Sequence, residues 1–580
     1  MQPRGARPER RARFVFCVGA SVDAFAAATY TSSMVSPSEV LGALKKYWGY
    51  SGFRPRQEKI VRSLLDGHDT CVIMPTGGGK SLCYQLPAAL LGERTAIVIS
   101  PLIALMQDQV AQLALMGIPS AFLNSSLSGG EQTSIIQGAR QGAYRLLYLS
   151  PERLARQDTL DWLRNIPISF FAIDEAHCIS EWGHEFRPEY RQMSALRKHF
   201  AETPIAAFTA SATQRVRHDI IQQLQLRTPD KYIASFHRAN LHYIVKECTA
   251  KEQRALLLKA IAKYEGSTMI IYAPTIKKVE QTVELLEEEG IAALAYHGQM
   301  DAGTRRVNQE RWTSDEVPVL VGTNAFGLGI NKAAVRAVLH LALPKSIEQY
   351  YQEAGRAGRD GLTSECLLLW QRRDAGLLAY FAGNIEDAKE KQRAWDRYHE
   401  IMNFAERESC RHQAICKHFG ESKTWKSCEA CDVCLGMPQW FQEAPASKRR
   451  LGEALAQPTN GTKLADRHGR SKTADSAASQ QRVVENLNEA ARELRDYLRE
   501  WRREMAQRQS VPAFIVMHDT TLDELCVRQP RTMAAVRRVS GIGERKIELY
   551  GQEILDALAR FREGARAAGV PAPRKKSLSA

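Results

Sequence analysis

The chain has 580 residues, enough for about four domains that each bury a core. It is 44% hydrophobic and 25% charged, as a soluble globular protein is, and no apolar run approaches the ~20 residues a transmembrane helix needs. A formal charge of +14 favours a polyanionic partner, nucleic acid before membrane, and twelve cysteines in so long a chain are too sparse for a disulfide scaffold.

Residues 1–34 are rich in Arg, Ala and Ser. Arg10-Arg11-Ala12-Arg13-Phe14 ahead of a semi-apolar stretch hints at an export or transit signal, but Asp23 interrupts the apolar part. The expectation is a disordered extension or a true start at Met34, with organelle targeting as the minor alternative.

From residue 35 to about 236 short apolar strands alternate with helical stretches, the pattern of a parallel sheet covered on both faces, with sites at the carboxyl ends of its strands. One strand, Thr70-Cys71-Val72-Ile73-Met74, leads into Pro75-Thr76-Gly77-Gly78-Gly79-Lys80-Ser81, and a helix is expected over residues 82–91. Consecutive glycines let backbone N–H groups turn inward onto phosphate oxygens at the positive end of a helix dipole. Lys80 would reach the β- and γ-phosphates of a nucleotide such as ATP, and the Ser81 hydroxyl would ligate Mg²⁺. The usual pattern has a glycine six residues before the lysine, where Met74 stands here. A later strand, Phe170-Phe171-Ala172-Ile173, runs into Asp174-Glu175-Ala176-His177. A carboxylate at a strand tip can hold the metal that bridges phosphates, and its neighbour can orient the attacking water.

Residues 237–376 carry a second alternating run without a phosphate loop. Near its end Arg356 and Arg359 stand three apart, so both can project across a cleft onto a transferring phosphoryl group. Downstream, Cys428, Cys431 and Cys434 at x₂ spacing, with Cys410 upstream, satisfy a closed tetrahedral Zn²⁺ site; Cys416, His412 and His418 lie nearby. Residues 437–480, rich in Ala, Ser, Lys and Gly, form an expected flexible linker; 481–563 is helical again, and 564–580 is a basic tail.

These motifs, with Phe208-Thr209-Ala210-Ser211-Ala212-Thr213, resemble the RecQ family of DNA helicases from about Pro37 to Leu435. The resemblance implies two tandem RecA-like parallel-sheet lobes (35–236 and 237–376), a small helical zinc-binding subdomain (377–436) and a C-terminal all-α bundle. In Gly49-Tyr50-Ser51-Gly52-Phe53-Arg54-Pro55-Arg56-Gln57 it makes Tyr50 and Arg54 sandwich adenine while Gln57 reads the N6/N7 edge. The box residues Asp174, Glu175 and His177 enter the catalytic set with Lys80, Arg356 and Arg359, the last as the arginine finger. The loop after the box, through Trp182, Phe186 and Arg187, is the family's contact with single-stranded DNA, by stacking on bases and pairing with phosphate. Ser100 lies where the family touches the DNA backbone, and Gly322 to Lys332, with Thr323 and Asn331 as its DNA contacts, resembles the segment joining that backbone to the nucleotide. Ala273-Pro274 stands where relatives carry a polar pair. Cys416 falls at an apolar core position of the pattern, which leaves Cys410, Cys428, Cys431 and Cys434 as the zinc ligands. Residues 481–563 resemble the HRDC domain of RecQ and RNase D proteins, whose Gly541-Ile542-Gly543 hairpin with Arg545 and Lys546 could meet a DNA phosphate.

The resulting expectation is an ATP-dependent 3′-to-5′ DNA helicase of recombination, repair and replication that uses ATP, Mg²⁺ and Zn²⁺. It would act as a monomer on single-stranded, forked or junction DNA, with a single-strand-binding protein as a candidate partner, in the cytoplasm at the nucleoid. Most relatives have a winged-helix domain after the zinc site, and none is legible here. The alternatives are therefore a DNA-stimulated translocase that unwinds weakly, or a DNA-binding scaffold.

Overall fold

The computed structural model describes residues 35–183, 185–324, 326, 332–442, 489–509 and 511–567. The expectations for residues 1–34, for 443–480 of the linker, for 568–580 of the tail and for Asn331 lie outside the described residues. The first sheet is formed by β1 (Thr70–Ile73), β2 (Thr95–Ile99), β3 (Ser120–Leu123), β4 (Leu146–Leu149), β5 (Ile168–Ile173), β6 (Ile205–Thr209) and β7 (Asp230–Ile233). Its order is β3-β4-β2-β5-β6-β1-β7 and every pairing is parallel. The second comprises β8 (Leu241–Glu247), β9 (Thr268–Tyr272), β10 (Ala293–Tyr296), β11 (Val319–Gly322), β12 (Val335–His340) and β13 (Ser364–Trp370). It runs β10-β11-β9-β12-β13-β8, again all parallel.

Strands buried on both faces explain the near-continuous apolar runs in the sequence. Alternate residues feed different cores: Ile97 and Ile99 enter one, Ala96 and Val98 another. The first of these cores also takes Ile270, Leu320 and Val338 from the second sheet, and Phe419 and Cys431 from the zinc-binding region. The two lobes and the zinc subdomain therefore share one apolar interior. Phe236, in the connection between the lobes, stacks on Phe419 with ring centroids 4.3 Å apart.

The zinc subdomain is built from helices Ala388–Glu406 and Arg411–His418 and the cysteine loop. That loop lies along the free edge of β8: Tyr243 N donates to Ala430 O at 3.1 Å, and Tyr243 bridges Cys431. Asp432 accepts two hydrogen bonds of 3.0 Å from Arg411 and a third, at 3.1 Å, from Val245 N. An ion pair this deep is held because further partners accompany it, with Arg411 also donating to Phe404 O and Arg407 O.

The C-terminal bundle has a separate core, in which Leu494, Leu498 and Trp501 of helix Glu489–Gln509 pack against Leu525 of Asp519–Arg528 and Ile554 of Glu544–Arg562. Here the structure corrects the sequence reading. Lys546 is not on the surface; its ammonium donates to Ile515 O at 2.9 Å and Val516 O at 3.1 Å, and burial pushes it down to about 8. The amine is spent closing the carboxyl end of a short helix, so it offers no charge to DNA. The Gly541–Gly543 hairpin is covered too, because Gly541 N donates to Gly49 O of the first lobe at 3.4 Å. Arg545 stays exposed, paired with Glu548 at 2.7 Å, and its stem lies beside Gly117 of the first lobe.

Candidate functional site

The phosphate loop connects β1 to the helix Lys80–Leu90, so the helix starts at the lysine itself, two residues earlier than the sequence suggested. Gly77 and Gly79 have φ of 80° and 81°, which is why glycine is needed there. Met74 has no such requirement. It is 4% exposed, packs into the core with Val72, and its methyl lies beneath Gly78, so the loop turns without a glycine at that place. Lys80 Nζ donates to Met74 O at 3.2 Å, aimed back along the loop.

Gln57 is a strut of this loop. Its Oε1 accepts from Arg54 N at 2.9 Å and its Nε2 donates to Gly78 O and Gly79 O at 3.2 and 3.3 Å. Arg54 donates to Gly77 O. Both ends of the carboxamide are thus engaged within the chain, and reading an adenine edge would require exchanging one of them. Tyr50 borders the same cavity, its phenol pushed up by burial.

Asp174 and Glu175 follow the carboxyl end of β5. Burial and the Glu175 carboxylate push the Asp174 carboxyl up, against the pull of Lys80. Glu175 has φ 46° and ψ 45°, a left-handed backbone that a glutamate adopts only when its surroundings hold it there. His177 has no path to solvent: its Nδ1 lies 2.8 Å from Thr209 Oγ1 and 3.3 Å from Glu175, and its Nε2 is 3.8 Å from Glu185. Burial alone would push this imidazole down, but Cys178, Glu175 and Glu185 outweigh it and hold it well up. It ties the acidic box to the tip of β6.

The second lobe closes the cavity. Arg356 and Arg359 line it together with Lys80, Ser81, Asp174 and Glu175, around a volume of about 500 Å³. Burial, with Arg356 and Arg238 alongside, pushes the Arg359 guanidinium down to about 9, and its stem lies against Gly77. An arginine so crowded by like charge is stabilised by an anion placed among the three. Thr76 faces Gly355 across the same boundary. Asp174, Ser81 and the loop amides are a donor set suited to Mg²⁺ and phosphate, and an acidic pair under desolvation is relieved by a cation.

Sequence reasoning missed Arg238. It donates to Thr76 O at 3.1 Å in the phosphate loop, and to Ala357 O and Gly358 O at 3.2 and 2.9 Å in the loop that carries Arg359. Asn240 holds that loop from behind, at 2.8 Å from Gly358 O. The available signal was a lone arginine directly after the interlobe connection. Arg238→Ala is expected to lower kcat for ATP at least tenfold with little change in nucleotide affinity, because it positions Arg359 through three carbonyls. Steady-state turnover beside equilibrium nucleotide titration checks this split.

The aromatic loop lies on another face. Trp182 is 37% exposed and flanked by the guanidiniums of Arg215 and Arg393; Phe186 lies 5.3 Å from that of Arg191. Arg187 donates to Pro101 O at 3.4 Å. Ser100 departs from expectation: it is 1% exposed, tucked behind the end of β2, and its hydroxyl cannot reach a DNA backbone. Thr323 is nearly buried at the end of β11. A second cavity of about 550 Å³ borders Glu185 and Asn324, and Gln352 and Arg356 line both cavities. Helix Ile347–Ala354 and the turn after it thus connect the two faces, with Gln352 donating to Ser211 Oγ at 2.8 Å.

The four sulfurs of Cys410, Cys428, Cys431 and Cys434 lie within 4.8 Å of one another. Zn–S bonds of about 2.3 Å place ligand sulfurs roughly 3.8 Å apart, so the quartet fits a tetrahedral Zn²⁺. The neighbours are otherwise engaged: Cys416 is in the core, His412 Nε2 is 3.0 Å from Leu241 O, and His418 pairs with Glu348 at 2.7 Å.

Four family models match the chain: DEAD/DEAH box helicase over residues 54–220, Helicase conserved C-terminal domain over 252–361, RecQ zinc-binding over 372–435 and HRDC domain over 491–558. The chain is 34% identical to an ATP-dependent DNA helicase RecQ of Pasteurella multocida, over 90% of this chain and 94% of the relative. It is also 34% identical to the Bacillus subtilis protein of that name, over 89% and 98%. The ATP-dependent DNA helicase Q-like 2 of Arabidopsis thaliana is 39% identical over 67% of this chain and 56% of the relative.

Proposed function

The chain belongs to the RecQ family of ATP-dependent DNA helicases and is an enzyme of that class, and from this we propose that it moves 3′-to-5′ along one DNA strand and separates the duplex ahead of it. The observation that carries the reading is the one cavity lined by Lys80, Asp174 and Glu175 from the first lobe and by Arg356 and Arg359 from the second. Lys80 and the loop amides hold the phosphates, Glu175 takes the proton of the attacking water, and Arg359 stabilises charge on the phosphoryl group in transfer. Ser81 and Asp174 would hold Mg²⁺, which would supply positive charge to the nucleotide phosphates. Tyr50 and Arg54 border the base. Cys410, Cys428, Cys431 and Cys434 would hold a Zn²⁺ whose closed coordination makes it structural.

The strand lies across the outer face, where Trp182, Phe186 and Arg187 stack on bases and pair with phosphate. Gln352 and Arg356, bordering both cavities, report its presence to the nucleotide. The protein acts as a monomer in the cytoplasm, at the nucleoid, on strands generated in recombination, repair and replication. Its substrates there are also those of a single-strand-binding protein.

A specific observation favours the second reading, a translocase that unwinds weakly. The zinc-binding match ends at residue 435 and the HRDC match begins at 491, too short an interval for a further DNA-gripping domain of about a hundred residues. Duplexes with a 3′ or a 5′ single-stranded tail decide between them. We expect ATP-dependent separation of the 3′-tailed duplex; preference for the 5′ tail would reverse the polarity, and hydrolysis without separation of either would select the translocase.

A further inference from the structure

We propose that the C-terminal bundle forms a wall of the nucleotide cleft, clamped to both lobes, and that its seating sets how fast nucleotide enters and leaves. The proposal rests on reading the cavity around Lys80 as the ATP site. Six bundle residues line that cavity with Tyr50 and Arg54: Gly541, Lys546, and the side chains of His518, Thr520, Glu524 and Ser540. The last four are polar, as suits a surface facing a ribose and base edge. Burial and the nearby Lys546 ammonium push the His518 ring down to about 4, and Arg54 of the first lobe adds to the effect.

One clamp point is backbone against backbone. A Cβ on Gly543 would come within 2.4 Å of Tyr47 O, and one on Gly49 within 2.6 Å of Ile542 N. Each side is glycine because the chains touch there. The other point is ionic and grips the second lobe. Asp315 faces Arg499 at 3.8 Å and Arg502 at 3.6 Å from the bundle, while Lys332 of its own lobe donates to it at 2.6 Å. Arg502 in turn donates to Asp519 at 2.7 Å. Lys332, Arg502 and Asp519 are each less than a tenth exposed. Opposite charges alternate through this knot, so parting the bundle from the lobe leaves Asp315 with one cation in place of three. Asp315 divides its carboxylate between the two sides: Oδ1 accepts from Thr268 and Lys332 of its own lobe, and Oδ2 faces Arg499 and Arg502 of the bundle. Helix Ala513–Val516 completes the seat, packing on helices Ile103–Leu115 and Ala302–Thr313 of the two lobes.

A bundle fixed to both lobes must yield whenever they part to exchange nucleotide, and salt reaches its ionic foot chiefly at Arg499, whose side chain is 19% exposed. The test uses the full chain, Mg²⁺ and a fluorescent ADP analogue, with dissociation followed by stopped flow. Gly543 has φ −78°, so Gly543→Val is compatible with the bundle's own backbone and acts at the Lys46 and Tyr47 backbone of the first lobe. Arg499→Ala removes one strand of the knot. Both variants are expected to release the analogue about tenfold faster than the unaltered chain. Release from the unaltered chain should speed up with salt, and that response should shrink in Arg499→Ala. Thermal unfolding confirms that the bundle core persists in each. Release at the unaltered rate from both variants, at every salt concentration, overturns the proposal. If Lys80→Ala binds the analogue unchanged, the site reading itself fails, which the two clamp variants do not probe.

Discussion

Replacing Lys80 by alanine is expected to reduce DNA-stimulated ATP hydrolysis about a hundredfold or more while DNA affinity survives. The lysine is the cation that the phosphate loop itself carries, and it lines the cavity. Its ammonium donates to Met74 O at 3.2 Å, whereas Arg238 is tied to carbonyls of both loops and the Arg359 stem packs on Gly77. Methionine at position 74 does not weaken this expectation, because its backbone is ordinary there and its side chain serves the core beneath the loop. The aromatic loop and Arg187 lie on a different face, which is why strand binding is expected to persist. Hydrolysis with and without single-stranded oligonucleotide, beside fluorescence anisotropy of the labelled strand, checks both halves. Substantial remaining turnover would remove Lys80 from the site.

The second large effect is expected at Cys431. The unaltered chain should carry close to one zinc per molecule by elemental analysis, and Cys431→Ala should lose it together with soluble, folded protein. Structural zinc contributes ~10–16 kcal/mol in small metal-stabilised modules, more than the net stability of most domains. Here the loss would spread. Cys431 lies in the core shared by both lobes and bridges β8, and its neighbour Asp432 anchors Arg411. Cys416→Ala is the matched control: an equally buried cysteine outside the quartet, which should keep the metal and cost only packing.

Much of this was legible from the chain. The alternation of apolar runs gave both sheets, because strands covered on both faces need no polar positions. The spacing of Gly77, Gly79 and Lys80 gave the loop, because only glycine reaches φ near 80° without strain. Docking was not legible. Arg238 bridges carbonyls that lie 119 to 162 residues away in sequence, and no local pattern encodes such a contact. Lys546 read as a surface cation because it follows a charged turn, yet its four-carbon stem lets the ammonium fold inward to two carbonyls. Ser100 shows the same limit: a small polar residue beyond a strand reads as exposed until the neighbouring strands cover it.

The lie of the cysteine loop along β8 has a further consequence. The end strand of a parallel sheet presents a row of unpaired amides and carbonyls that invites another chain to add on. At Tyr243 the flank is occupied by Ala430 and Cys431, and a Zn²⁺ held by the four cysteines would help keep those two residues in place. Chelation would therefore do more than loosen a small subdomain. It would uncover a template for self-association, and a sample stripped of zinc would be lost by sticking to itself before its motor could be assayed.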